Sequence, residues 1–382
     1  MIYLDNAATS WPKPQSVCDA VSEALRQAGN PGRSGHALSL WAGRVIEGTR
    51  MNAAALLGER DASRVVFALN ATDALNTAIH GLLAGGGHAI TTSMEHNSVI
   101  RPLETLRQAG VIRYTCVPTD PIHGTDPAAI RRAFQSDTRL VICTHASNVT
   151  GTVNPVGDIG RLCREAGIPF LVDAAQTAGS LPLCVDDIFA DMVAFPGHKG
   201  LLGPQGTGGL WIRADAPFSL PALRQGGTGS RSERISQPAE MPDRFESGTQ
   251  NTPGLHGLAA GIRHVLDRGV SEIFAHEARL TGKLLDGLSQ IRGVTTYGPS
   301  AGMARAGVLS LRIADTEPSE AASILDNSFG IAVRAGLHCA PAAHETIGTL
   351  GTGGTVRASV GAFTTDADVD AFLHAVSEIA QG

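Results

Sequence analysis

Between residues 64 and 213, short β-branched runs recur: RVVF (64–67), HAITT (88–92), VIRYTCV (111–117), RLVICTH (139–145), PFLVDA (169–174), DMVAF (191–195) and GGLWIR (208–213). Amphipathic stretches separate the earlier ones: ATDALNTAIHGLL, NSVIRPLETLRQAG, DPAAIRRAFQ and PVGDIGRLCREAG. This rhythm constrains the fold more than anything else in the chain. It predicts an α/β domain with a mostly parallel seven-stranded sheet and helices on both faces. The last two runs lack a full crossover helix, so one edge of the sheet is expected to be antiparallel.

From 214 to 253 the pattern gives way to a Gly-, Ser-, Pro- and Arg-rich loop, of a length that compact domains keep mainly for function. Beyond it come long helices over 254–291, strands near 306–313, 331–335 and 355–360, and helices at 317–328 and 366–380. The expected division is a large domain over 15–253 and a smaller α+β domain formed by 1–14 and 254–382. A chain of 382 residues with 43% hydrophobic content can fill two such cores.

The net charge of −6 and singly scattered Lys and Arg leave no basic stripe for nucleic acid. No run of about 18 apolar residues suggests a membrane span, and the opening MIYLDNAATS lacks a basic and apolar leader pattern, so the chain reads as cytoplasmic. The six cysteines (18, 116, 143, 163, 184, 339) show no CxxC spacing, and a disulfide framework is not expected. Glycine, at 45 residues, is abundant without being periodic, as in turns and where backbone approaches a ligand.

In an open parallel sheet, ligands sit beyond the carboxyl ends of the strands. Here those ends read Asn70-Ala71-Thr72, Glu95-His96, His145-Ala146-Ser147-Asn148, Asp173-Ala174-Ala175-Gln176 and Gly197-His198-Lys199. Any one of them alone is as readily a helix cap or a hydrogen-bonded structural residue. As a set they meet the requirements of pyridoxal 5'-phosphate. Lys199 offers an amine for a Schiff base, Asp173 a carboxylate for the pyridine nitrogen, and the turn before the 71–83 helix free N–H groups for the phosphate.

VRAGLHCAP (333–341) sets a cysteine beside a histidine in a turn. Three readings of Cys339 are open on these residues: a nucleophile, a small buried side chain, or a zinc ligand with His338 and His344, for which a fourth ligand is missing nearby. Trp11, Trp41 and Trp211 suggest only core or interface roles.

The motifs LDNAAT (4–9), MEHNSV (94–99), SNVTGTVNPV (147–156), VDAAQTAG (172–179), GHKG (197–200), ESGTQNTPG (246–254), VRAGLHCAP (333–341) and TVRASVG (355–361) run through nearly the whole chain. In that order they resemble the cysteine desulfurase and selenocysteine lyase branch of the class V aminotransferases. The resemblance implies the fold type I architecture of pyridoxal-phosphate enzymes and a homodimer acting on L-cysteine or L-selenocysteine. It implies a Schiff base on Lys199, His96 stacked on the ring, Asp173 at the ring nitrogen, and Asn148 and Gln176 near the ring hydroxyl. Ala71, Thr72 and His198 would hold the phosphate, joined by Thr249 from the partner subunit. Arg357 would clamp the substrate carboxylate, with Arg334, His36 and Asn30 lining the substrate pocket. Cys339 falls where the family keeps its sulfur-accepting nucleophile, and no metal is implied.

One position departs from the family pattern. Pro196 stands where many relatives have a Ser or Thr, which removes a phosphate hydroxyl and a backbone N–H. The resemblance also covers selenocysteine lyases, carbon-sulfur lyases, epimerases and aminotransferases. A non-enzymatic partner that kept only the fold is disfavoured by the joint presence of Lys199, Asp173 and Arg357. An acceptor protein for the sulfur, and a destination in iron-sulfur clusters or thio-cofactors, follow from the resemblance alone.

Overall fold

A computed structural model describes residues 1–32 and 34–381. The chain opens with β1 (Ile2–Tyr3), α1 (Gln15–Gln27) and α2 (Ala37–Leu56). Strands and helices then alternate through β2 (Val65–Ala68), α3 (Ala71–Leu83), β3 (Gly87–Thr92), α4 (Asn97–Gln108), β4 (Ile112–Val117), α5 (Pro127–Arg132), β5 (Thr138–Thr144), α6 (Val156–Ala166) and β6 (Phe170–Asp173). Next come β7 (Met192–Pro196), β8 (Gly208–Ile212), α7 (Thr252–Arg268) and α8 (Val270–Ser289). The chain ends with β9 (Val294–Tyr297), β10 (Val308–Ile313), α9 (Pro318–Phe329), β11 (Ile331–Ala332), β12 (Arg334–Gly336), α10 (Pro341–Thr346), β13 (Thr355–Ser359) and α11 (Asp366–Gln381).

The large sheet has seven strands in the order β2-β8-β7-β6-β5-β3-β4. Only β8 opposes its neighbours, pairing antiparallel with both β7 and β2. The antiparallel strand expected at an edge is therefore one position in, because β2 returns to cover it from Val65↔Trp211 to Ala68↔Gly208. Alternate residues feed two cores, as a sheet covered on both faces requires. Val65, Phe67, Val141, Phe170, Val172 and Trp211 pack on one face, and Val66, Leu140, Ile142, Leu171 and Leu210 on the other. Each fully buried side chain of this size stabilises the fold by roughly 1.5–3 kcal/mol.

The second sheet is antiparallel, in the order β12-β13-β10-β9, while β1 pairs in parallel with β11. Its core joins Leu309 and Leu311 to Leu280, Leu284, Leu325 and Phe372, and takes in Leu4 from the start of the chain. Leu255, Leu258 and Ile262 of α7 belong instead to the core of the large sheet. Ile273 of α8 packs with Val265 of α7 and Leu202, while Leu280 and Leu284 further along α8 face the second sheet. Among the described residues no helix is long and apolar enough to cross a membrane.

Candidate active site

A cavity of about 270 Å³ lies at the carboxyl ends of the large sheet's strands, closed from the other side by residues of β12, β13 and the turn that follows β12. Ala71, Thr72, His96, Asn148, Asp173, Gln176, His198, Lys199, Arg334 and Arg357 all line it, and so does Pro196.

At one end stand two helix N-termini. Asn70 caps α3, its side chain accepting from Asp73 N at 3.0 Å, so the first-turn residues Ala71 and Thr72 face the cavity with the positive end of the helix dipole. His96 caps α4 in the same way, with Nδ1 accepting from Ser98 N at 3.0 Å. Thr72 Oγ1 is 2.7 Å from Ser98 Oγ, which is 2.8 Å from His96 Nδ1. Burial, with Lys199 and Arg334 adding positive charge, lowers the His96 pKa to about 4 and keeps the ring neutral.

Asp173 ends β6 as a buried carboxyl, with Oδ1 accepting from Ala175 N at 2.9 Å. Burial raises its pKa, and the charge of Lys199 opposes that rise. Burial lowers the Lys199 amine to about 8, with Asp173 pulling it back upward. The glycines around this lysine are steric requirements. A Cβ on Gly197 would run into the Thr207 hydroxyl, and one on Gly200 into the Ala178 carbonyl. The His198 carbonyl accepts from Ser10 N at 3.0 Å and from Lys13 Nζ at 2.9 Å, which ties the LDNAATS segment to the lysine loop. His198 Nδ1 is buried without a partner among the described residues, and burial lowers this ring to about 4. Gln176 Nε2 donates to the Ala7 carbonyl at 3.1 Å.

The opposite wall is cationic. Arg357 on β13 is buried, with Nη2 donating to Asp5 Oδ1 at 2.8 Å and Nη1 to the Asn148 carbonyl at 3.1 Å, while its Nε has no partner among the described residues. Arg334 on β12 is half-buried, and its Nη2 lies 3.2 Å from Cys339 Sγ. Cys339 itself is exposed at the rim. Its turn is held from two sides: Asn97 N donates to the Cys339 carbonyl at 2.8 Å, and Asn148 Nδ2 to the His338 carbonyl at 2.7 Å. His338 and Cys339 have φ values of +50° and +57°, a left-handed conformation that costs a residue with a Cβ about 1–2 kcal/mol. His338 donates from or accepts at Nε2 to Thr355 Oγ1 at 3.0 Å. Among the described residues no group of three His, Cys, Asp or Glu side chains is arranged to hold a metal ion.

Four expected residues do not line the cavity: Cys339, which adjoins it through Arg334 and His338, and His36, Asn30 and Thr249. His36 is the exposed N-cap of α2, accepting from Ser39 N at 3.3 Å, and Asn30 is exposed, its carbonyl accepting from Ser39 Oγ at 2.5 Å. Thr249 is exposed three residues after Glu246. Glu246 is locked by Arg50 at 2.7 and 2.8 Å and accepts from Phe67 N at 2.7 Å. Asp5 and Ser98 belong to the site or its supports although the sequence reading assigns them no role, whereas Asn70 is named there with the turn before α3 and His338 beside Cys339. Asp5 sits within LDNAAT, which is signal enough, and Ser98 reads simply as a helix-start residue.

A smaller cavity of about 40 Å³ shares Lys199 and Gln176 with the first. Glu277 of α8 lines it, buried and with no hydrogen bond to its carboxyl among the described residues.

The larger cavity combines a lysine with a lowered pKa, a buried carboxyl, two helix N-termini and paired arginines, one of which touches a surface thiol. Such a set can bind an anionic carbonyl cofactor, hold an amino acid by its carboxylate and present a nucleophile to its side chain.

The family model described as Aminotransferase class-V matches residues 2–372. A protein named as a probable cysteine desulfurase from Methanothermobacter thermautotrophicus is 37% identical, over 99% of this chain and 94% of that protein. The apo structure of a cysteine desulfurase from Thermococcus onnurineus superposes with a TM-score of 0.92 at 34% identity, covering 100% of this chain and 95% of that one. A cysteine desulfurase from Escherichia coli, crystallised as the S-sulfonic acid, gives a TM-score of 0.87 at 26% identity over 100% and 94%. With a family match across almost its whole length and relatives this similar end to end, the chain belongs to the class V aminotransferases.

Proposed function

We propose that this chain is a pyridoxal-phosphate-dependent cysteine desulfurase, converting L-cysteine to L-alanine and receiving the sulfur as a persulfide on Cys339. The observation that carries the reading is the exposed Cys339 thiol, in contact with Arg334, at the rim of a cavity that also holds Lys199, Asp173 and Arg357. The residues fit the cofactor. Among the described residues Asp173 is a buried carboxyl whose single hydrogen bond leaves room for a protonated ring nitrogen, and His198 Nδ1 is a buried polar atom without a partner.

Lys199 would anchor the cofactor, with Asp173 at the ring nitrogen, His96 over the ring face, and Asn148 and Gln176 at the ring hydroxyl. Ala71, Thr72 and His198 would hold the phosphate. When bound, the cofactor supplies an electron sink for bonds broken at the substrate's Cα. Arg357 and Arg334 hold the substrate carboxylate, the guanidinium fork suiting two oxygens. Lys199 Nζ, once neutral, is the group placed to move the Cα proton. The Cys339 thiolate attacks the substrate's sulfur, forming the S–S bond as the Cβ–S bond breaks, and alanine leaves after Cβ and Cα regain protons.

Thr249 stands outside its own chain's cavity and is exposed, which supports a homodimer in which it reaches the partner's phosphate. Asn30 and His36, off the cavity, take no part in this assignment. An acceptor protein would then draw the sulfur toward iron-sulfur clusters or thio-cofactors.

The test is alanine release from L-cysteine under a reductant, by wild type and Cys339→Ala, with cofactor occupancy measured in both. Alanine from the wild type that disappears in the variant is the expected result. No alanine from a fully loaded wild type removes cysteine as substrate, and the same assay with L-selenocysteine then decides for a lyase.

A further inference from the structure

At the end of the cavity where α3 and α4 begin, Thr72, Ser98 and His96 form a hydrogen-bonded chain, with contacts of 2.7 Å and 2.8 Å around Ser98 Oγ. All three residues line the cavity, and Ser98 is only 8% exposed. The cap of α4 does not require this hydroxyl. It is made by the Ser98 backbone N–H, which donates to His96 Nδ1 at 3.0 Å. Because Nδ1 accepts that bond, the single proton of the neutral ring sits on Nε2.

Ser98 Oγ–H therefore has no obligation of its own. If it turns away, Nδ1 remains satisfied by the backbone. The same freedom belongs to Thr72, whose hydroxyl contact in this cluster is with Ser98. Two hydroxyls free to turn thus meet at two helix N-termini, where an anion gathers N–H and O–H donors. Pro196, elsewhere on the cavity wall, contributes neither an N–H nor a hydroxyl.

We propose that Ser98 is a phosphate ligand of the cofactor, its Oγ–H turning from His96 to the phosphate while its backbone N–H holds the imidazole in place. This rests on the pyridoxal phosphate reading above. A positioning role through His96 would affect the ring and not the phosphate, so a ligand lacking the phosphate separates the two.

The experiment measures dissociation constants of pyridoxal 5'-phosphate and of pyridoxal for cofactor-stripped wild type, Ser98→Ala and Ser98→Thr, from the absorption of the bound form. Thermal melts of the stripped proteins check that the variants are folded. The expected result is that Ser98→Ala binds pyridoxal phosphate about tenfold more weakly. Pyridoxal binding should be unchanged within about twofold, and Ser98→Thr should recover most of the phosphate-dependent affinity. A folded Ser98→Ala that matches wild type for the phosphorylated compound, or that weakens both compounds equally, overturns the proposal. A wild type that takes up neither compound removes the cofactor reading itself and this assignment with it, whereas failure of Ser98 alone leaves the wild type loaded.

Discussion

Lys199 has to be neutral to react with a carbonyl, and burial brings its amine from 10.5 to about 8. Uptake of pyridoxal phosphate by the cofactor-free protein should accelerate with pH up to about 8 and then level off; a rate still climbing beyond pH 9 would indicate an ordinary lysine. Glu277 is the reverse case. Burial lifts its carboxyl from 4.5 to about 8, so the folded protein holds this proton more tightly than the unfolded chain. Its contribution to stability is complete below pH 4.5 and is lost as pH rises to 8, by at most about 1.4 kcal/mol per pH unit. Glu277→Gln should therefore raise the melting temperature more at pH 8 than at pH 5, and a pH-independent difference would refute this account. Of these groups, Lys199 and Asp173 were legible because each closes an apolar run. Glu277 was not, since a lone acid in a helical pattern reads as a solvent-facing residue until another layer covers it.

Among the elements, the end of the loop after β8 is tied to α2 by a buried ion pair. Arg50 of α2 grips Glu246 with two hydrogen bonds and also reaches the Val65 carbonyl at 2.6 Å, and both side chains are buried. Glu246→Ala leaves the Arg50 charge and the Phe67 N–H without their acceptor. Urea unfolding should show a loss of about 3–5 kcal/mol, with Arg50→Leu/Glu246→Leu recovering part of it. α3 to α9 and α11 were readable from periodicity, and β2 to β8 from their β-branched runs, whereas α1, α2 and α10 were not picked out. The place of β8 was not, because its pairing with β2 joins residues some 140 positions apart and leaves no local trace. The same holds for α7, whose apolar stripe says that it packs but not against which core.

At the scale of the molecule, the site exists because the two larger sheets meet over it. The large sheet supplies Asp173 and Lys199, the small one Arg334 and Arg357, and Asp5 crosses between them to pair with Arg357. Motif order along the chain pointed to ten of the residues that line the cavity, and also to Asn30, His36, Thr249 and Cys339, which do not. It could not reveal that Asp5 lies beside β13, a contact fixed by its bridge to Ser359. The turn that carries Cys339 follows from the same meeting. Asn97 and Asn148, from the large-sheet side, each hold one of its carbonyls. On the proposed reading, sulfur loaded there has no swinging arm to carry it outward. The recipient must travel to the rim, because a turn pinned by two hydrogen bonds delivers its sulfur only where it stands.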